Sequence, residues 1–91
     1  MQDEMDLFED DELLLEAFKK IMKFLILEVI DEIEFDLSYT LEEMVPDFWK
    51  LLNVFECRIA GKAVAILVRY GKLPLVYDGK TSSNHRRYLR R

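Results

Sequence analysis

From about Asp11 to Asp31, apolar residues return every three or four positions. Leu14, Leu15, Phe18, Ile21, Met22, Leu25, Ile26 and Val29 gather on one side of a helix, with Glu12, Glu16, Lys19, Lys20 and Lys23 opposite. At Glu32 the period drops to two. Glu32-Ile33-Glu34-Phe35-Asp36-Leu37-Ser38-Tyr39 alternates polar and apolar, which predicts a half-buried strand over 32–39. Acids are poor strand formers, so a helix continuing to Phe35 is the competing reading. Thr40-Leu41-Glu42-Glu43 then has the spacing of a capping box. Pro46 suits the first position of a helix but not its interior, so the pattern predicts a short turn 41–45 leading into a helix 46–53. Phe48, Trp49, Leu51 and Leu52 form the buried side of that helix.

Asn53 to Cys57 reads as a turn, followed by a second long helix from about Arg58 to Tyr70. On that helix Arg58, Lys62, Ala65 and Arg69 share one stripe, and Ile59, Val64, Ile66, Leu67 and Val68 occupy most of the remaining circumference. Ala65, as a small residue in mid-stripe, would let this face approach a partner closely. Gly71 fits a left-handed helix stop, with Pro74 beyond it. Leu73–Tyr77 reads as a strand, and Asp78-Gly79 is a strong hairpin-turn dipeptide. Closure further along is the other option. Lys80-Thr81-Ser82-Ser83-Asn84 would then form a polar loop, with His85–Leu89 as the returning strand. A C-terminal helix capped by Ser82 or Ser83 competes with that strand.

The apolar arc of the first helix spans about 200°, where a surface helix needs a stripe only somewhat wider than ~100°. The excess predicts a homodimer through Leu15, Phe18, Met22, Leu25 and Val29. A helix wrapped more fully by its own core is the plainer explanation.

Composition narrows the class. Fifty-one per cent hydrophobic content in 91 residues supplies one core and one domain, and argues against a disordered chain. Cys57 is the only cysteine, so no disulfide forms within the chain and a reducing compartment is expected. The run Phe24–Leu27 ends at Glu28, far short of the ~20 residues needed to span a bilayer, and the acidic N-terminal stretch lacks the basic segment of a signal peptide. A soluble, cytoplasmic protein with no membrane partner is therefore expected.

The net charge of −5 conceals a division. Residues 1–47 hold 16 acids against three lysines, a balance of −13. Residues 48–91 hold ten bases against Glu56 and Asp78, a balance of +8. Such segregation points to two surfaces with different partners, one of them polyanionic. The acids of residues 1–10 form either a solvated leader or a polyanion that competes for the basic face.

Catalytic chemistry finds no foothold. The three glycines are isolated, so no phosphate-cradling loop is present. His85 and Cys57 lie 28 positions apart with no second nitrogen or sulfur ligand, and Glu28 with Glu32 reads as a charged helix end. No enzyme activity, no cofactor and no metal are expected. The cations are more informative. Arg58, Lys62 and Arg69 on the helix, Lys72 and Lys80 beside the hairpin, and Arg86, Arg87, Arg90 and Arg91 at the end are interrupted only by Asp78. A merely solubilising surface would intersperse acids among them.

The local text Arg58-Ile59-Ala60-Gly61-Lys62-Ala63-Val64, Gly71-Lys72-Leu73-Pro74 and Arg86-Arg87-Tyr88-Leu89 resembles winged-helix modules of phage and plasmid replication proteins and excisionase-like regulators. The resemblance implies an α+β, mostly helical fold, with a long N-terminal helix (11–31), a winged-helix core (32–91) and a C-terminal β-hairpin as the wing. It also implies a recognition helix in the major groove presenting Arg58, Lys62 and Arg69, with Lys80, Arg86 and Arg87 as wing contacts. The function expected on this basis is double-stranded DNA binding by a regulator or accessory factor of viral or mobile-element origin, acting in the host cytoplasm or nucleoid. The alternative is a protein-binding adaptor or inhibitor that uses the acidic N-terminal half.

Overall fold

Five helical segments and three short strands make up the protein, seen here in a computed structural model that describes the backbone of residues 2–91 and the side chains of residues 12–91. Helix α1 spans Gln2–Val29. It is longer than the periodic segment alone suggests, because the backbone of residues 2–10, expected as a leader, is already helical. What the acids of the leader contact lies outside the described residues.

The chain leaves α1 through a 3-10 turn, Ile30–Glu32, and reaches strand β1 only at Ser38–Tyr39. The strand expected over 32–39 is therefore a two-residue strand after an irregular loop. Perfect alternation did not produce a strand because no partner extends along it: β1 pairs only through Ser38 with Leu89 and Tyr39 with Tyr88. Of the apolar set, Ile33 enters the core, whereas Phe35 and Leu37 remain exposed. The loop folds back on itself, with the Glu34 amide donating to the Tyr39 hydroxyl at 3.2 Å.

Thr40 caps α2 (Leu41–Met44) in the expected capping box: the Thr40 amide donates to Glu43 Oε1 at 2.8 Å, and the Glu43 amide donates to Thr40 Oγ1 at 3.3 Å. Pro46 opens α3 (Pro46–Trp49), which ends earlier than the expected 53 in consecutive turns through Leu52. The segment Asn53–Cys57, expected as a turn, is instead the start of α4 (Val54–Arg69). Asn53 and Glu56 form a second capping box, with reciprocal bonds of 2.9 and 2.8 Å. The apolar pair Val54-Phe55 had disguised it.

Helix α4 stops as Gly71 predicts. With φ +69° at Gly71, the Gly71 amide donates to Val68 O at 3.1 Å and the Lys72 amide to Leu67 O at 2.8 Å, the paired bonds of a Schellman motif. A Cβ at this position would meet nothing within 4 Å, so only the backbone conformation penalises substitution. Gly71→Ala is expected to cost about 1–2 kcal/mol from the left-handed conformation, read as a lowered midpoint in urea unfolding with an unchanged slope.

Strands β2 (Leu75–Lys80) and β3 (Arg86–Arg90) form the antiparallel hairpin, and the sheet order is β1-β3-β2. The competing C-terminal helix is absent. Asp78-Gly79 is not the turn. Tyr77 lies opposite Tyr88 and Lys80 opposite Arg86, so β2 carries one extra residue, a bulge in which Gly79 takes φ +86°. The hairpin closes beyond it. The Thr81 amide donates to His85 O at 2.8 Å, and Asn84 adopts φ +68°, a short loop ending in a left-handed residue.

The core forms where α1 lies along α4. Phe18, Met22 and Ile26 of α1 meet a helix face built from Ala60, Ala63, Val64 and Leu67, in which two alanines permit close approach. Leu41, Met44 and Val45 close one end, while Leu73, Leu75 and Tyr88 close the sheet side. Phe18 and Phe48 meet edge to face at 6.3 Å between centroids. Phe18 and Met22, expected as dimer contacts, are thus consumed by the intramolecular core, and Leu15, Leu25 and Val29 pack half-buried against it. The wide apolar arc is explained mainly by one chain wrapping its own helix. No described helix is long and apolar enough to cross a membrane.

Candidate nucleic-acid interface

Arg58 and Lys62, four residues apart, stand exposed on the side of α4 that faces away from α1. The hairpin rises beside this face, and α2 and α3 flank it. Between them lies an open groove of about 1130 Å³. Arg58 and Lys62 line it from α4, and Lys80, His85, Arg86 and Arg87 line it from the hairpin. Five fixed cations thus share the groove with two carboxylates, Glu42 and Glu43, of which Glu43 is held in the Thr40 cap. Among the described residues, none of the five cations forms a salt bridge. Leu41, Pro46, Trp49 and Val54 contribute apolar lining.

The hairpin comes within reach of α4 at Gly61. The Arg86 guanidinium lies 3.9 Å from where a Cβ on Gly61 would sit, an ordinary van der Waals distance that places the arginine side chain against α4. Ala65, expected as the small residue of close approach, does not line the groove, whereas Gly61, one turn earlier, does. Arg87 projects from the opposite face of β3 to Arg86, and its guanidinium donates to Ser38 Oγ, tying β3 to β1. Tyr88 also contributes to the lining. Its hydroxyl is buried with no hydrogen-bond partner among the described residues, and its ring meets Tyr77 edge to face. Burial pushes its pKa up, against a lowering influence from Arg86, so it stays a neutral donor at physiological pH.

Cys57 is half-buried at the groove edge. Burial first, then Glu56 and Glu42, push its thiol pKa up, which makes it a poor nucleophile at neutral pH.

Not every expected cation joins the groove. Arg69 occupies the last turn of α4, about 16 Å along the axis from Arg58 at 1.5 Å per residue. There it complements the negative end of the helix dipole. Lys72 follows the Schellman turn and, like Arg91, is exposed and outside the groove lining. Arg90 is committed elsewhere. Its Nη1 donates to Ile33 O at 3.1 Å, its Nη2 lies 3.5 Å from Asp31 Oδ1, and its guanidinium sits 4.2 Å above the Phe35 ring. Counting cations along the chain missed this, because its partners lie nearly sixty residues upstream. Arg90→Ala should therefore lower stability by about 1–2 kcal/mol through the lost charged hydrogen bond and ring contact. The readout is thermal unfolding, and any effect of the variant on polyanion binding should be smaller than that of a groove cation.

No family model, curated protein or solved structure matches this chain.

Proposed function

We propose that this protein binds double-stranded DNA as a regulator or accessory factor, with α4 entering the major groove and the β2–β3 hairpin following the backbone. The observation that carries the reading is the groove itself: Arg58 and Lys62 of α4 and Lys80 and Arg86 of the hairpin line one concave surface, with Arg87 at its border, in a chain whose net charge is negative. At a net charge of −5 the molecule as a whole is repelled by a polyanion at long range. Binding must then come from local charges, which act within a Debye length of roughly 8–10 Å. The element order also supports it. Helix, strand, helical pair, helix and hairpin, with the first strand beside the last, is the order that a winged helix calls for.

In this reading the α2–α3 pair and α4 form the helix–turn–helix, and the Thr81–His85 loop is the wing tip. Arg58 and Lys62 reach base edges or the phosphates flanking them. Arg86, Arg87 and Lys80 contact phosphates and contribute affinity without sequence preference. The test is titration of labelled duplex DNA at several salt concentrations. Dissociation constants tighter than ~100 µM at low salt are expected, with a log–log salt slope of roughly −3 to −4 if about four phosphates are neutralised. Duplex RNA should bind less well, because the deep, narrow major groove of the A-form excludes a helix. Absence of binding at low salt would sink the DNA reading and leave the protein-binding adaptor in its place.

A further inference from the structure

The outward face of α1 carries a second pattern. Leu13, Ala17, Lys20, Phe24 and Leu27 are all exposed, and they follow one another at spacings of 4, 3, 4 and 3. This is the alternation of a coiled-coil seam. Leu13 is 72% and Phe24 63% exposed, on the side of the helix away from Phe18, Met22 and Ile26. Scattered surface apolars need no explanation, but Leu13, Phe24 and Leu27 are exposed along one row at seam spacing, with Ala17 and Lys20 between them, as a helix contact requires.

We propose that the occupant of this stripe is a second copy of the chain, its α1 packed antiparallel against the first. The flanks of the seam give the partner and the direction. Leu14 and Ile21 border it on one side, and Glu16 and Lys23 on the other. Antiparallel pairing sets each flank against its own equivalent, so Leu14 meets Ile21 of the partner subunit and Glu16 meets Lys23 of the partner subunit. A parallel pair would set the apolar flank against the charged one. It would also bring the two Lys20 ammonium groups into one layer. In the antiparallel register Lys20 faces the partner's Ala17, beside the partner's Glu16, and Phe24 faces the partner's Leu13. The two-fold axis then crosses between residues 18 and 19, making an isologous contact. This face is distinct from the set Leu15, Phe18, Met22, Leu25 and Val29, which the intramolecular core occupies.

The seam does not involve the basic groove, so its test is independent of DNA. Sedimentation equilibrium of the full chain between 5 and 200 µM should give the mass of two chains. Phe24→Glu should give the mass of one, with far-UV circular dichroism unchanged, since the side chain is outside the core. Direction is read by cross-linking in a Cys57→Ser background under mild oxidation. Leu13→Cys chains mixed with Phe24→Cys chains should form the mixed disulfide, while neither variant alone should cross-link to itself. A wild-type monomer at 200 µM overturns the proposal, and so does self-cross-linking of either variant alone.

Discussion

Replacing Arg58 and Lys62 together by alanine is expected to weaken duplex DNA binding about 30-fold or more, with the fold intact. Both side chains are exposed and neither forms a salt bridge among the described residues, so their removal leaves no buried group unpaired. A base-edge contact contributes about 1–3 kcal/mol, and the loss of one phosphate contact flattens the salt slope by nearly one. Two such losses on one helix face set the size of the effect. The informative control is Arg69→Ala with Lys72→Ala, which removes the same formal charge from outside the groove. That pair should change affinity less than threefold. Equal losses in the two double variants would mean that total charge, and not the groove, determines binding.

The largest effect on stability is expected at Met22, which is fully buried between α1 and α4. Met22→Ala should cost about 2–5 kcal/mol, the lost transfer energy plus the cavity left behind. In a domain of this size that corresponds to a fall of roughly 10–30 °C in Tm. Leu51→Ala is the matched control. Leu51, expected on the buried side of a helix that in fact ends at Trp49, is 74% exposed, and its loss should stay within about 0.5 kcal/mol. Differential scanning calorimetry compares the two directly. A small effect at Met22 would contradict the packing of α1 on α4 on which the groove geometry depends.

Much of the local structure was legible because it is encoded by neighbours in sequence. The Thr40 and Glu43 side chains find each other three residues apart, Gly71 stops α4 by its own backbone freedom, and the apolar spacing of α1 forms a helix wherever a core is supplied. The Asn53–Glu56 box was equally local and equally readable. The apolar Val54 and Phe55 obscure it in the sequence, although an exposed first helical turn tolerates them. The groove cations were also visible as residues, though the two populations among them were not. Arg58, Lys62 and Arg86 look no different in sequence from Arg69 or Arg90.

Sequence by itself determined the bodies of the two long helices, the Thr40 cap, the Gly71 helix stop and the segregation of acid from base, since each depends on intrinsic propensity or on contacts between near neighbours. Tertiary structure decided whatever depends on a distant partner. The alternating segment 32–39 is a strand only where β3 reaches it, at Ser38 and Tyr39. Asp78-Gly79 became a bulge because the register of the whole hairpin placed the turn further on. The broad apolar arc of α1 became a buried intramolecular face, with Phe18, Met22 and Ile26 at its centre, only when α4 took that side of the helix. Arg90 left the set of candidate contacts because Ile33, Asp31 and Phe35 were brought beneath it. In each case the deciding interaction joins residues far apart in the chain, and no spacing within a single segment carries that information.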